Sequence, residues 1–271
     1  MSDRPFRCYL IGGDTLLLEC GEVLLEKGHE ILGVVTSAPR IEAWARENDL
    51  PVIDSKDDYG REMAKHDFDY LFAITHLGII RDDVLELPAR GAVNFHDGPL
   101  PRYAGLNAPV WALMNREPEY GITWHEITSG VDEGDILVQE RFEITPEETA
   151  LSINTKCMAR ALDSFPTLVD QLATGGVSRT RQNLEERSYF GRYDRPDAAA
   201  GVNWSRPAED VEAFVRALTF GPYENPVASP KAVVEGGREP FIVTEARAMA
   251  SGEGGEPGTV VSVAAEGITV A

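Results

Sequence analysis

The sequence predicts an α/β fold, a doubly wound and mainly parallel sheet with a small C-terminal β subdomain. Between Cys8 and Ala173, short apolar runs alternate with amphipathic stretches of helical period. Beyond Lys231 only short β-type runs remain. A length of 271 residues suits one large domain and one small one. We expect a main domain over 1–185, a linker over 186–205 and an accessory subdomain, partly barrel-like, over 206–271.

Residues 8–11 read as a buried strand running into Gly12 and Gly13. A helix over 15–27 follows, with Leu16, Leu17, Leu24 and Leu25 on its apolar side and Gly28 as its stop. Residues 31–36 form a second strand, 41–49 a helix, 51–53 a third strand and 68–74 a fourth. An apolar loop, His76-Leu77-Gly78-Ile79-Ile80, leads to a helix starting near Asp82. Core packing is the alternative reading of the two isoleucines, more so for Ile79 than for Ile80. Residues 92–95 make the next strand, 108–115 a core helix with Trp111, 120–128 an alternating strand and 136–144 another. The pattern over 149–173 is a long helix entered through Thr145-Pro146-Glu147-Glu148, kinked or interrupted at Pro166 and ended by Gly175 and Gly176. A further helix over 207–219 has Ser205 as its expected cap. The last strands are expected at 233–234, 241–243, 259–261 and 268–270. A barrel ending there has an open edge, as in a minimal version or an excised piece of a longer chain.

Composition narrows the function classes. With 25 basic against 45 acidic residues, the formal charge of −20 opposes nucleic acid and anionic membranes as partners. Three scattered cysteines without a C-x-x-C point to reduced thiols in a cytoplasmic, soluble protein. The five histidines lack metal-ligand spacing, so no metal is expected. Gly12 and Gly13 lack the third spaced glycine of a dinucleotide loop.

The chemistry concentrates in two stretches. Asn94 and His96 lie two apart on a strand, hence on one face, before a Pro- and Gly-rich loop through Gly105. Open α/β sheets bind ligands outside the carboxyl ends of their strands. The second stretch, Val131-Asp132-Glu133-Gly134-Asp135-Ile136, is a Gly-punctuated turn carrying acids. His125, beside Trp124, reads as structural or as lining an acceptor pocket.

The Asn-x-His strand end, the Leu-Pro-x-Tyr-x-Gly loop (Leu100 to Gly105) and the Val-Asp-x-Gly-Asp-Ile turn resemble the formyltransferases that use 10-formyltetrahydrofolate. The resemblance covers roughly residues 6–175. It implies that Asn94, His96 and Asp132 are catalytic, with Asn94 a donor to the formyl oxygen and Asp132 the orienting acid of His96. His96 is then either a donor or a general base. It implies that Leu77, Gly78, Ile80, Thr128 and Gly130 flank the folate. Gly13, Asp14, Arg102 and Tyr103 are assigned to the acceptor side. One departure is Asp97-Gly98-Pro99-Leu100-Pro101, where many relatives carry Ser-Leu-Leu-Pro. The implied activity is formyl transfer to an amine of aminoacyl or amino-sugar type, free or carrier-protein-bound in nonribosomal peptide or other natural-product assembly. The alternatives are a 10-formyltetrahydrofolate hydrolase and a catalytically silent scaffold module.

Overall fold

The structure is a computed structural model that describes residues 4–197, 199–225, 227, 231–236, 239–250 and 255–271. The chain divides into two compact units. One comprises Met1–Gly105, Gly121–Phe142 and Lys156–Tyr189; the other Leu106–Tyr120, Glu143–Thr155 and Phe190–Ala271.

The first unit follows the expected alternation: β1 (Arg7–Gly12), α1 (Thr15–Glu26), β2 (Glu30–Thr36), α2 (Pro39–Glu47), β3 (Val52–Asp54), α3 (Tyr59–Met63), β4 (Tyr70–Ile74), α4 (Asp82–Leu85) and β5 (Gly91–His96). After β6 (Ala104–Gly105) and α5 (Ala108–Met114) come β7 (Glu119–Glu126), β8 (Ile136–Glu143), α6 (Ala150–Thr174) and β9 (Tyr189–Phe190). The main sheet has the order β3-β2-β1-β4-β5-β7-β8. The pairs from β3 to β5 are parallel, whereas β7 runs antiparallel to β5. Strand order reverses direction between β1 and β4, and that switch point is where an α/β sheet opens a crevice at its carboxyl edge. The loops after β1, β4 and β5 therefore leave the sheet side by side.

Burial explains the strands. Leu10, Ile11, Val34, Val35, Leu71, Phe72 and Ile74 are fully enclosed, as expected when helices cover both sheet faces. On one face Phe165 of α6 packs against Phe72 and Trp124, with ring centroids 5.6 and 5.0 Å apart. The indole Nε1–H of Trp124 donates to Ser164 Oγ at 3.1 Å. Cys8, Cys20 and Cys157 are free thiols and all buried, and burial pushes the Cys8 and Cys20 thiols up.

Two local expectations are corrected. Helix α6 runs unbroken from Ala150 to Thr174 through Pro166. Proline removes only the rung to the Leu162 carbonyl, while buried Phe165, Leu168 and Val169 hold both sides of the gap in the core. Its start is a reciprocal cap: the Thr149 N–H donates to Ser152 Oγ and the Ser152 N–H to Thr149 Oγ1. In the second unit, Pro207 rather than Ser205 occupies the cap position of α7 (Ala208–Ala217). The Ser205 hydroxyl is used instead by Asn203 Oδ1 at 2.6 Å. In that unit the Trp111 ring stacks on Phe190 at 4.7 Å, and Arg116 of the α5 turn pairs with Asp210 of α7 at 3.1 Å. Its described C-terminal strands form two separate antiparallel hairpins, β10 (Val233–Gly236) with β11 (Glu239–Ile242) and β12 (Val260–Ala264) with β13 (Gly267–Val270).

Candidate active site

Strand β5 delivers Asn94 and His96 to the carboxyl edge of the sheet, next to β4, where Ala73 is the partner of Asn94. On its other side, antiparallel β7 places His125 directly opposite Asn94 and Thr123 opposite His96. Directly opposed side chains in an antiparallel pair are near neighbours. His125 Nε2 accordingly lies 3.0 Å from the Asn94 amide nitrogen. The Nδ1–H of His125 donates to the Glu126 carbonyl at 2.8 Å, so in the neutral ring Nε2 accepts from Asn94. That fixes the amide and leaves its second N–H for another acceptor.

His96 is 5% exposed. Its Nε2 lies 2.7 Å from the Tyr103 carbonyl, which can only accept, so Nε2 carries a hydrogen. Its Nδ1 faces Asp132 Oδ2 at 3.6 Å and Asp97 Oδ1 at 4.0 Å. Asp132 reaches this place through a left-handed residue conformation (φ 56°) in the turn after β7. The turn passes so close to β7 that a Cβ on Gly134 would lie 1.8 Å from the Glu126 carbonyl oxygen; only glycine fits. Gln182 Nε2 then ties the turn down, donating to the Asp132 and Gly134 carbonyls.

Burial opposes ionisation of Asp132. The His96 charge and the Gly105 N–H at 2.8 Å outweigh it and hold the carboxyl well below the usual carboxylate range. Asp97 behaves oppositely: burial pushes its carboxyl up, against the His96 charge and its own backbone N–H, and the nearby Asp132 charge adds to the rise. Its side chain keeps 26% exposure, so burial acts on it through the surrounding protein rather than through full enclosure.

The loop from Asp97 to Gly105 is pinned at several points. Thr123 Oγ1 donates to the Gly98 carbonyl at 2.7 Å and accepts from the Leu100 N–H at 3.2 Å. Gln139 Nε2 donates to the Leu100 carbonyl, and the Tyr103 N–H donates to Ser188 Oγ. Gly98 lies against the imidazole: a Cβ there would be 2.7 Å from His96 Nε2 and 3.0 Å from the Tyr103 oxygen.

The structure thus brings Asn94, His96 and Asp132 into one cluster and adds His125 and Asp97. The role of His125 opposite Asn94 was not readable, because strand direction and register are long-range properties. The other expected residues lie as follows. Gly13 and Asp14 are exposed at the end of β1, with Asp14 capping α1 through the Thr15 N–H and joined to the β4 loop by Thr75 Oγ1. Leu77 is 78% exposed and Gly78 is exposed beside the His76 ring. The core residue of that loop is Ile80, not Ile79: Ile80 packs with Tyr59, Met63 and Val84 at the start of α4, while Ile79 is 78% exposed. Thr128 is exposed and Gly130 partly so, next to Glu133. Arg102 is exposed with its guanidinium 5.3 Å from the buried ring of Tyr103, whose contribution at His96 is its carbonyl. Among the described residues, no group of three His, Cys, Asp or Glu is placed to hold a metal, and no helix is long and apolar enough to cross a membrane.

A family model described as formyl transferase matches residues 34–169, from β2 into α6. Similar folds include a 4-N formyltransferase from Francisella tularensis (17% identity over 90% of this chain and 99% of that one, TM-score 0.73). An N-formyltransferase from Helicobacter canadensis, solved with folinic acid and dTDP-3-aminofucose, matches at 20% identity over 78% of this chain and 79% of that one (TM-score 0.68). HypX from Aquifex aeolicus, solved with tetrahydrofolic acid, matches at 18% identity over 98% of this chain but 42% of that one (TM-score 0.65). At these identities the solved structures establish the shared fold. The family model covers just over half of the chain and includes all the clustered residues, and the chain belongs to the formyl transferase family.

Proposed function

We propose that this formyltransferase moves the formyl group of 10-formyltetrahydrofolate to the amine of a small amino sugar carried on a nucleotide. The observation that carries the reaction class is the cluster itself: an amide donor, an imidazole and a depressed carboxylate at the carboxyl edge of β5. Folate as donor and an amino sugar as acceptor rest on the ligands of the neighbours of like fold, folinic acid and dTDP-3-aminofucose. The same neighbours rank an amino sugar ahead of a carrier-bound aminoacyl group. Arg102, exposed beside the catalytic loop, supplies a cation for the acceptor's phosphates in a chain whose net charge of −20 otherwise repels them.

In this scheme Asn94 donates its free N–H to the formyl oxygen as the tetrahedral centre forms; one such donor is worth about 3–4 kcal/mol. His96 adds a cationic neighbour while Asp132 keeps it oriented. Leu77, Gly78, Ile80, Thr128 and Gly130 take the folate, with Ile80 offering backbone since its side chain is in the core. Gly13, Asp14, Arg102 and Tyr103 take the acceptor. Residues 1–185 form the catalytic domain and 206–271 the accessory one. The setting is cytoplasmic, in keeping with three free buried thiols.

The test is incubation with 10-formyltetrahydrofolate and a panel of dTDP-linked amino sugars, read by mass spectrometry of the sugar and by folate absorbance. A formylated sugar is expected. Formate released without a formylated acceptor would assign a hydrolase instead, and unchanged folate with every amine would refute the donor.

A further inference from the structure

Two carboxylates flank the same nitrogen of His96, Asp132 at 3.6 Å and Asp97 at 4.0 Å, and they are built for different work. Asp132 is enclosed. Its Oδ2 holds the Gly105 N–H, its Oδ1 faces His125, and its side chain is 11% exposed. Asp97 stands on the loop that β5 opens into, with more than twice that exposure, 26%. His96 and Asp132 act as charges on its carboxyl, and from α6 the thiol of Cys157 approaches its backbone carbonyl at 4.0 Å.

We infer that Asp97, rather than Asp132, is the base that removes the first proton from the acceptor ammonium. This rests on the formyl-transfer function proposed above. An amine must be neutral to attack the formyl carbon, and at neutral pH a sugar amine is largely an ammonium. Asp132, enclosed and tied to the Gly105 N–H, is turned away from an incoming amine, whereas Asp97 stands more exposed on the loop beside it. Environments that drive two neighbouring carboxyls apart in this way divide the acid and base roles between them.

The protons balance. On becoming an amide, the ammonium loses two. The first N–H bond breaks toward the Asp97 carboxylate, which releases that proton to solvent through its exposed edge. The nitrogen lone pair forms the bond to the formyl carbon, and the carbon–N10 bond then breaks. The second proton passes to the departing N10, which leaves as the N–H of tetrahydrofolate. Asp132 stays ionised throughout as the countercharge of His96.

The experiment compares wild type, Asp97→Asn and Asp132→Asn over a range of pH, with 10-formyltetrahydrofolate and the best amino-sugar acceptor. Asp97→Asn should lose about 100-fold in kcat at neutral pH. It should leave the folate KM unchanged and recover as pH rises toward the acceptor's own pKa, where free amine is supplied by the solution. Asp132→Asn should be impaired at every pH. An Asp97→Asn enzyme with the wild-type rate and pH profile would overturn the assignment. Independently of turnover, carbon-13 NMR of the aspartate carboxyls in the wild-type protein should show Asp97 titrating above Asp132. The reverse order would overturn it even if Asp97→Asn failed to fold. A wild type that yields only formate removes the transfer function, and the NMR order still decides which carboxyl can accept a proton.

Discussion

The loops after β4 and β5 leave adjacent parallel strands, yet they are built in opposite ways. After β5, residues 97–105 are held by Thr123, Gln139, Ser188 and the His96–Tyr103 bond, and His96 is 5% exposed. After β4, the loop turns Leu77 and Ile79 outward, each 78% exposed, and is anchored by burying Ile80 and by the Thr75 bond to Asp14. A group that must meet a reacting carbon within a fraction of an ångström needs every degree of freedom tied down. A wall for a flat ring needs apolar surface and little else. The difference matches the proposed division between residues that perform chemistry and residues that hold a ligand.

The largest break in this contrast should come from the clamped side. His96→Ala is expected to cut kcat by about 10²–10⁴ with folding intact, measured by steady-state transfer and circular dichroism; a loss under tenfold would remove His96 from the chemistry. Gly98→Ala comes next. The added methyl would press on His96 Nε2 and the Tyr103 carbonyl, so kcat should fall roughly 10- to 100-fold. The crowding should cost about 1–3 kcal/mol in denaturant unfolding. Unchanged stability would show that the loop yields where we hold it rigid.

On the open side, the double change Leu77→Ser, Ile79→Ser should raise the folate Kd about 3- to 10-fold. It should leave kcat and the melting temperature near wild type, because neither side chain is buried. A loss of kcat with unaltered folate binding would reverse the roles of the two loops. The smallest effect is electrostatic. The depressed carboxyl of Asp132 contributes stability that is fully present above the unfolded carboxylate value near ~4 and is lost as pH falls through its lower folded value. The melting-temperature gap between wild type and Asp132→Asn should therefore be widest near neutrality and shrink on acidification below ~4. A constant gap would make Asp132 a packing residue only.

Much of the architecture was legible because burial imposes a period. The runs at 8–11, 31–36 and 68–74 and the leucine stripe of α1 each repeat the spacing of the surface they hide. The candidate loop over 94–105 stood out because its residue types are costly to place without a purpose. What stayed hidden depends on partners distant in sequence. His125 matters because β7 runs antiparallel to β5 in one register, which no local pattern encodes. The exchange of Ile79 and Ile80 depends on how a five-residue loop turns, since both side chains are equally apolar. Pro166 looked like a break because propensity was weighed without the core that spans it. The short α3 lacks the length for any period to show.

The three enclosed thiols give the molecule a built-in opening clock. Cys8 sits in the central strand, Cys20 in the helix behind it, and Cys157 on α6 against the Asp97 carbonyl. An alkylating reagent can reach each only when its own surroundings part, so the order in which they are labelled maps the order in which the fold comes undone. Labelling of Cys157 ahead of Cys8 would mean that the cover over the catalytic loop lifts while the sheet is still whole. Enzymatic activity would then be lost on warming before the protein itself melts.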